Sequence, residues 1–247
     1  MGPVDETKHI PAEITTIRNV TPDLAIWRVW PRDVLRFDPG QYVAMGLPVG
    51  ERVLERPYSI CSAPGEPELE FFIELVPSGA LTRKLFEMRE GGQVYLRRSA
   101  KGRFVLDRQT RVHLMVASVT GVAPFVSMLR DLARRRESTD RVLLLQSAST
   151  PAELGYDEEL AALSHACSWF EYAPTVSRPW LAPGWRGERG RAEDVVRKYA
   201  DAGGFAPDAA IVYCCGNPQM IRNVRAVMER AGFPRASIRE ETYWKPG

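Results

Sequence analysis

Two short stretches of this chain carry side chains that suit a nucleotide-like cofactor. The first is Arg56-Pro57-Tyr58-Ser59-Ile60, and the second is Cys215-Gly216-Asn217-Pro218. A guanidinium fits a pyrophosphate, a tyrosine offers a flat face to an aromatic ring, and a serine hydroxyl can donate to a ring nitrogen. Because side chains alternate along a strand, Arg56 and Tyr58 share one face while Ser59 points to the other. The pattern is equally compatible with an ordinary half-buried strand.

A third candidate lies at the start of a predicted helix in the first half of the chain. Ser78 is predicted to cap this helix, and Gly91 is predicted to end it. The first turn, Gly79-Ala80-Leu81-Thr82, would present free backbone N–H groups, the positive end of the helix dipole and a hydroxyl. A plain capped helix is the alternative. Arg56 favours a phosphate site, because both features would serve one pyrophosphate.

The second half of the chain contains two strand–turn–helix patterns and a basic loop. The stretch Ser118-Val119-Thr120-Gly121-Val122-Ala123-Pro124 follows one apolar run, and Cys215 ends another. Such turns lie at the carboxyl edge of a parallel sheet, where nucleotides bind. Arg186, Arg189 and Arg191 follow Arg178 in the loop. A buried structural cysteine and a solvated basic loop are the alternatives at these positions.

Composition narrows the class of protein. The 247 residues are 45% hydrophobic and 26% charged, with a net charge of +2, which argues against a nucleic-acid binder. No apolar run approaches the ~20 residues that span a bilayer, and the polar N-terminus does not resemble a secretory signal. Four cysteines without metal-ligand spacing predict free thiols in the cytoplasm, and three scattered histidines predict no metal site.

The hydrophobic pattern changes near residues 106–110. Before that point, short segments rich in aromatic and β-branched residues alternate with turns, which predicts an antiparallel barrel or sandwich. After it, continuous apolar runs alternate with helical patterns, which predicts a doubly wound α/β domain with a parallel sheet. We therefore expect two domains, residues 1–107 and 108–247. There is no GxGxxG fingerprint of an ordinary Rossmann dehydrogenase.

Taken together, these stretches resemble the ferredoxin–NADP reductase family, and in particular its bacterial type. Five motifs occur in the family's order: Arg56-Pro57-Tyr58-Ser59, Gly79 to Thr82, Thr120 to Phe125, Cys215 to Pro218, and Glu241-Thr242-Tyr243-Trp244. The resemblance implies an all-β antiparallel FAD-binding barrel of Greek-key type, followed by the α/β doubly wound NADP-binding domain. It also implies FAD and NADP(H) as cofactors.

The resemblance assigns a role to each matching residue. The catalytic residues would be Ser59 near flavin N5, Cys215 beside nicotinamide C4, and Glu241 in proton relay. The FAD-binding residues would be Arg56, Pro57, Tyr58, Ser59, Ile73, Leu75, Ala80, Leu81, Thr82, Thr120, Tyr243 and Trp244. The NADP-binding residues would be Thr120, Gly121, Arg178, Arg191, Cys215, Gly216, Asn217 and Pro218.

The sequence departs from the family pattern in three places. Val119 stands where the family has a glycine, and Ser149 stands where the bacterial type has another arginine for the 2′-phosphate of NADP. Lys245-Pro246-Gly247 extends beyond Trp244, which would otherwise be the terminal aromatic residue.

The resemblance implies an enzyme that passes a hydride between NADP(H) and FAD and exchanges single electrons with ferredoxin or flavodoxin. We also expect a monomer. Arg97, Arg98, Lys101 and Arg103 could steer an acidic carrier, although a solvated face is an equal alternative. Two other enzymes fit the motifs: an NAD(P)H:flavin reductase and the reductase subunit of a multicomponent system. A non-catalytic nucleotide-binding protein is a remote alternative.

Overall fold

The computed structural model describes residues 4–50, 52–135 and 139–243. Within this part the chain forms two compact units. The barrel unit contains residues up to Val105 together with Ala123–Asp131. The α/β unit contains Leu106–Val122 and the residues from Leu132 onward.

The barrel unit is built on one antiparallel sheet of six strands. The strands are β1 (His9–Thr21), β2 (Leu24–Pro31), β3 (Tyr42–Val49), β4 (Arg52–Ser59), β5 (Leu69–Glu74) and β6 (Gln93–Arg97). They lie in the order β4-β3-β6-β1-β2-β5. A bridge between Ile60 and Phe71 joins the two outer strands, and the Cys61 N–H donates to the Glu70 carbonyl over 2.8 Å. The sheet thus curls into a barrel around buried side chains such as Trp27, Phe71 and Leu96.

One short helix interrupts the strands, α1 (Ala80–Phe86). The prediction that Ser78 caps this helix was wrong, since Gly79 occupies the cap position and makes no side-chain bond. The prediction that the helix runs to Gly91 was also wrong, because Glu87 is its last capping residue. Leu81 and Leu85 are buried in the barrel core, so α1 packs on the barrel through one apolar face.

A second helix, α2 (Ala123–Arg135), contributes its first nine residues to the barrel unit. The Ser127 hydroxyl donates to the Ser62 carbonyl over 2.7 Å, and Arg130 pairs with the buried carboxylate of Glu70 at 2.9 Å. Because Glu70 is 3% exposed, this ion pair is well shielded from solvent. These contacts fasten α2 to β5 and to the segment between β4 and β5.

The α/β unit has a parallel sheet of six strands. Its strands are β7 (Val112–Ser118), β8 (Arg141–Ala148), β9 (Phe170–Val176), β10 (Glu188–Arg189), β11 (Ala210–Gly216) and β12 (Ile238–Thr242). Its remaining helices are α3 (Asp157–Ala166), α4 (Ala192–Ala202) and α5 (Pro218–Arg230). The strand order is β10-β9-β8-β7-β11-β12, so the chain reverses direction across the sheet between β7 and β11. This confirms the predicted doubly wound class and marks a topological switch point.

None of the helices within residues 4–50, 52–135 and 139–243 combines the length and the apolar character that crossing a membrane requires.

Candidate cofactor-binding sites

Strand β4 presents Arg56 and Tyr58 at the edge of the barrel sheet. Arg56 is exposed, and in the described residues its guanidinium contacts only the Glu55 carbonyl, at 2.8 Å. Pro57 lies between them, opposite Ala44 of β3. Proline has no N–H to donate, and it is tolerated here because β4 is an outer strand of the sheet. The guanidinium is thus available to an anion, as the sequence predicts.

Tyr58 has an unusual environment. Its ring meets Phe71 edge-on, with centroids 6.5 Å apart, and its hydroxyl is buried without a hydrogen-bond partner among the described residues. Burial raises the pKa of the Tyr58 hydroxyl well above its ordinary value, so the group is a neutral phenol. A buried hydroxyl without a partner costs about 1–3 kcal/mol. The polar hydroxyls or phosphate of a flavin nucleotide would satisfy it, so the residues present fit FAD.

The remaining barrel residues with a predicted role lie on β4, β5 and α1. Ser59 is 6% exposed and pairs with Tyr42, and Ile73 is buried opposite Ala25. The Leu75 N–H donates to the Asp23 carbonyl over 2.8 Å, so only its carbonyl is left for a ligand. Their predicted contacts with flavin remain predictions.

The hydroxyl of Thr82 serves the turn that precedes α1. It accepts from the Val76 N–H at 3.1 Å and donates to the Val76 carbonyl at 3.2 Å. The Leu81 side chain is buried in the core, so Leu81 and Ala80 offer an anion their backbone N–H groups rather than side chains. The predicted pyrophosphate contact of Thr82 would require this turn to rearrange or the hydroxyl to share its bonds.

At the switch point of the α/β unit, two backbone turns pack without space for a side chain. A 3-10 turn over Val119–Val122 follows β7, and a Cβ atom on Gly121 would lie 2.2 Å from the Cys215 carbonyl oxygen. Gly216 has φ of 125°, and a Cβ atom there would lie 2.3 Å from the Ser118 hydroxyl. Glycine is therefore required at both positions. Thr120 and Cys215 are both predicted to contact nicotinamide; Thr120 lies in the first turn, and Cys215 precedes Gly216 at the end of β11.

The helix that follows β11 is capped by one of the predicted nucleotide-binding residues. The Asn217 side chain accepts from the N–H groups of Gln219 and Met220, and Pro218 is the first helical residue. The Asn217 N–H donates to the Ser118 hydroxyl over 2.8 Å. Asn217 and Pro218 thus shape the turn through their structural roles, and contact with NADP stays a prediction.

Cys215 is fully buried at the end of β11, opposite Glu241 in the parallel register with β12. Burial raises the pKa of the Cys215 thiol well above its ordinary value, and the negative charge of Glu241 raises it further. The thiol is therefore neutral and unsuited to nucleophilic attack. It can offer a ligand only a small polarizable contact, and its place beside nicotinamide C4 stays a prediction.

Tyr243 is bonded to the turn that contains Thr120. Its hydroxyl donates to the Thr120 carbonyl over 2.9 Å and also bonds the Cys215 thiol. The sequence predicts that Tyr243 covers a cofactor, but this tie to the switch-point turn has no sequence signal. Trp244, the other predicted covering residue, lies outside the described residues, as do Lys245-Pro246-Gly247.

Val119, which stands where the family has a glycine, has a strained backbone conformation. Its φ of 45° lies in the left-handed region, which costs a non-glycine residue about 1–3 kcal/mol. Its side chain packs on a small apolar cluster of Ala148, Leu154 and Val176, which Trp185 also joins. This cluster compensates part of the strain and ties the switch-point turn to the loop after β9.

The basic loop keeps its predicted arginines exposed. Arg178 follows β9, and Arg191 immediately precedes α4, where its N–H donates to the Asp194 carboxylate at 3.0 Å. Sequence reasoning missed Glu153, whose carboxylate lies in the turn after β8. The pattern Thr150-Pro151-Ala152-Glu153 was the available signal, since a threonine followed three residues later by glutamate marks a capping turn.

Half of the basic cluster expected to steer a carrier is engaged within the barrel unit. Arg97 makes three hydrogen bonds to the Glu55 carboxylate, the shortest at 2.7 Å, and Arg98 pairs with Asp33 at 2.9 Å. Lys101 and Arg103 are exposed, and no ion pair of either occurs in the part that the structure describes. Any steering field would come chiefly from these two residues.

Comparison with known families assigns a class to each unit. Residues 11–105 match the model of an oxidoreductase FAD-binding domain, and residues 115–226 match that of an oxidoreductase NAD-binding domain. The first match covers the barrel strands from within β1 to β6, and the second runs from within β7 into α5 and ends before β12. The protein is therefore a flavin- and nicotinamide-binding oxidoreductase, which confirms the predicted enzyme class.

Individual relatives narrow the class further. The chain is 33% identical to a ferredoxin–NADP reductase of Pseudomonas aeruginosa over 216 residues, 81% of each protein. It is 29% identical to a flavodoxin/ferredoxin–NADP reductase of Escherichia coli, over 87% of this chain and 88% of that protein. A crystal structure of a ferredoxin NADP+ reductase from Neisseria gonorrhoeae with bound FAD and NADP matches 96% of this chain and 99% of its own, with a TM-score of 0.85 and 26% identity. The chain belongs to the ferredoxin–NADP reductase family, and the expected cofactors, FAD and NADP(H), are confirmed.

Proposed function

We propose that this protein transfers electrons between NADP(H) and a one-electron carrier, ferredoxin or flavodoxin, through a resident FAD. The observation that carries the proposal is that two groups suited to a flavin nucleotide lie on one outer strand. They are the exposed guanidinium of Arg56 and the buried Tyr58 hydroxyl, which has no hydrogen-bond partner among the described residues. Together they offer a pyrophosphate donor and a ring platform with an unsatisfied polar group, which is what a flavin nucleotide needs. The relatives named ferredoxin– and flavodoxin–NADP reductases support the choice of carrier.

FAD, when bound, accepts a hydride from NADPH and releases electrons one at a time. The barrel unit would hold the pyrophosphate with Arg56 and support the flavin ring with Tyr58. Ser59 would hold a proton at flavin N5 through its hydroxyl. Orientation dominates such a transfer, because the reacting atoms must approach to about 3–3.5 Å.

The α/β unit would orient the nicotinamide with the turns that end β7 and β11. Thr120 and the neutral thiol of Cys215 offer it small contacts, and glycines at 121 and 216 keep side chains out of the way. Glu241, in register with Cys215, would relay a proton to solvent. Tyr243 must leave the Thr120 carbonyl before that backbone can meet a ligand.

A visible spectrum of the purified protein tests the proposal most directly. We expect bound flavin absorbance that bleaches on anaerobic addition of NADPH, with NADH as comparison. Colourless protein that binds no nucleotide would contradict it. Readily lost flavin with rapid reduction of free FMN would favour the NAD(P)H:flavin reductase.

The role of Ser59 is tested by Ser59→Ala. We expect flavin reduction to slow by about tenfold or more, with FAD affinity nearly unchanged, because a lost proton contact affects the transfer rather than the binding. Stopped-flow reduction by NADPH measures the rate. Ser78→Ala is the control, since Ser78 makes no capping bond. Reduction at the wild-type rate would remove Ser59 from the mechanism.

The reductase component of an oxygenase is a second candidate. An anthranilate 1,2-dioxygenase electron transfer component of Acinetobacter baylyi is 25% identical over 96% of this chain, which spans 68% of that protein. Comparing turnover with isolated ferredoxin, flavodoxin and oxygenase components would separate the two. If Lys101 and Arg103 steer an acidic carrier, Lys101→Glu/Arg103→Glu should slow its reduction and weaken the salt dependence.

We further propose that the protein is a cytoplasmic monomer. Its four cysteines, Cys61, Cys167, Cys214 and Cys215, are all free thiols, which suits a reducing compartment.

A further inference from the structure

A valine in a left-handed backbone conformation begins the switch-point turn, Val119–Val122. Its φ is 45°, a value that glycine adopts freely and a β-branched residue rarely adopts. The Val119 side chain packs on the apolar cluster of Ala148, Leu154 and Val176, which lies at the ends of β8 and β9 and in the turn after β8. Because a strained conformation persists only where surrounding contacts impose it, this packing supports the turn.

Trp185 packs on the same cluster from the loop after β9. Its indole N–H donates to the Glu188 carbonyl over 2.8 Å, and its backbone N–H donates to the Ala182 carbonyl over 2.9 Å. A Cβ atom on Gly187 would lie 2.4 Å from the ring, so the ring covers a position that has no side chain. The half-buried indole is therefore held against the cluster by the loop itself.

The hydrogen bond to Glu188 attaches the indole to the parallel sheet. Glu188 begins β10 and pairs with Thr175 of β9. Its carboxylate accepts from the Tyr199 hydroxyl of α4 at 3.1 Å. The residue that holds the ring of Trp185 is thus fixed by a strand on one side and by a helix on the other.

The turn that begins with Val119 carries two residues predicted to meet a nicotinamide nucleotide. The Thr120 carbonyl accepts from the Tyr243 hydroxyl, and Gly121 packs on the Cys215 carbonyl without space for a side chain. Hydride transfer requires close placement of the reacting atoms, and a misplacement of about 1 Å can cost about 100-fold in rate. A change of the backbone at Val119 passes directly to Thr120, because the two residues share a peptide bond.

We propose that Trp185 is a positioning residue for hydride transfer and that it acts through Val119. Packing of Trp185 on the cluster keeps Val119 in its strained conformation, and this conformation sets the place of Thr120 and Gly121. The inference rests on the proposed function, because it concerns the nicotinamide that delivers electrons to FAD. A glycine at position 119 would need no such support, so the role of Trp185 depends on the valine.

The test is a double-mutant cycle in the full-length protein with its flavin. We expect Trp185→Ala to lower the limiting rate of flavin reduction at saturating NADPH about five- to tenfold. The same substitution in the Val119→Gly background should change that rate by less than about twofold, because glycine keeps a positive φ unaided. Anaerobic stopped-flow spectroscopy measures the rates. A role confined to the loop would change the NADPH concentration that gives half of the limiting rate, but not the limiting rate itself.

The chain offers a matched control in the same loop. Trp180 is 69% exposed, whereas Trp185 packs on the cluster, so Trp180→Ala should leave the limiting rate at the wild-type value. Trp185→Phe keeps an aromatic ring and should recover most of the rate that Trp185→Ala loses, which separates packing from the indole hydrogen bond. The free energy of unfolding of each variant shows whether it is folded under the conditions of the assay.

Amide hydrogen exchange over residues 119–122 tests the same link without turnover. If Trp185 supports the turn, exchange there should be about tenfold faster in Trp185→Ala, because the turn opens locally more often. Exchange in Trp180→Ala should match the wild type.

The possible outcomes separate this inference from the proposed function. If Trp185→Ala slows flavin reduction equally in both backgrounds, or no more than Trp180→Ala does, Trp185 does not act through Val119 and the inference is wrong. Unchanged exchange over residues 119–122 would overturn it as well. If NADPH does not reduce the flavin of the wild-type protein, the proposed function fails, and the exchange measurement alone decides whether Trp185 supports the turn.

Discussion

The predicted ligand-binding groups of the two units differ in whether they already have hydrogen-bond partners within the protein. In the barrel unit the Tyr58 hydroxyl is buried without a partner in the described residues, and exposed Arg56 contacts only a neighbouring carbonyl. In the α/β unit the corresponding groups are already engaged: Thr120 accepts from Tyr243, and Asn217 caps its own helix. The Tyr58 hydroxyl thus lacks a partner that a ligand would supply, whereas the Thr120 carbonyl and the Asn217 side chain already have partners in the protein.

This difference corresponds to two modes of cofactor use. A ligand that satisfies a buried polar group contributes to the stability of the unit that binds it, and such a ligand is retained. A ligand that must replace an internal hydrogen bond gains only the difference, so it binds more weakly and leaves readily. We infer that FAD is resident and that the nicotinamide nucleotide exchanges.

The largest effect should come from filling the tight contact at the switch point. Gly121→Ala places a methyl 2.2 Å from the Cys215 carbonyl oxygen, and backbone cannot move aside as a side chain can. We expect the α/β unit to lose more than about 3 kcal/mol, at the upper end of overpacking effects. Chemical denaturation measures the loss. Gly184→Ala, with nothing within 4 Å, is the control, and an equal loss there would contradict the reasoning.

A second unsatisfied group tests whether every such group implies a ligand. His113, buried in β7, has an unpartnered Nδ1 within the described residues, and burial lowers the pKa of its ring from 6.5 to about 4. Because only the unfolded state binds a proton between these values, stability should fall as the pH drops from about 6.5 to about 4, by about 3 kcal/mol in full.

His113→Gln should flatten the dependence of the free energy of unfolding on pH in that range. His165→Gln changes an exposed histidine and should keep the wild-type slope. If both variants keep the slope, His113 is not the titrating group. Confirmation would show that the unpartnered Nδ1 of His113 affects stability through burial alone, with no ligand involved.

The variant Arg56→Ala tests the contribution of the barrel unit to FAD binding. We expect about 10- to 100-fold weaker FAD binding, the value of one or two charge-assisted hydrogen bonds. Titration of FAD-depleted protein, followed by flavin fluorescence, measures the affinity. Arg52→Ala removes the same charge from the same strand and should have little effect; equal losses would reduce the role of Arg56 to general electrostatics.

The smallest effect should come from Tyr243→Phe. Loss of the hydroxyl frees the Thr120 carbonyl, so NADP+ should bind about two- to fivefold tighter, consistent with one neutral hydrogen bond. Tyr199→Phe, which removes a hydroxyl bonded to Glu188, is the control. Weaker NADP+ binding by Tyr243→Phe would mean that the phenol contacts the nucleotide instead of competing with it.

Local signals mark the start of α5 clearly and the ends of α1 poorly. The start of α5 follows from Asn217-Pro218, since an asparagine cap and a proline at the first position are both local signals. Ser78 looked like an equally good cap, but the chain uses Gly79, because the hydroxyl of Thr82 already closes the preceding turn on Val76. That competition depends on side-chain geometry that spacing does not reveal.

By itself the sequence determined the types and order of the elements and the chemistry of Arg56, Tyr58 and Cys215, because periodicity and side-chain type are local properties. Only the tertiary structure decided that β7 and β11 are neighbours, so that the backbone of Gly121 meets that of Cys215. It also decided that Ser149 bonds both Glu153 and Arg178. Strand order and such hydrogen bonds join residues far apart in the chain, and their energies depend on the packing of the whole sheet.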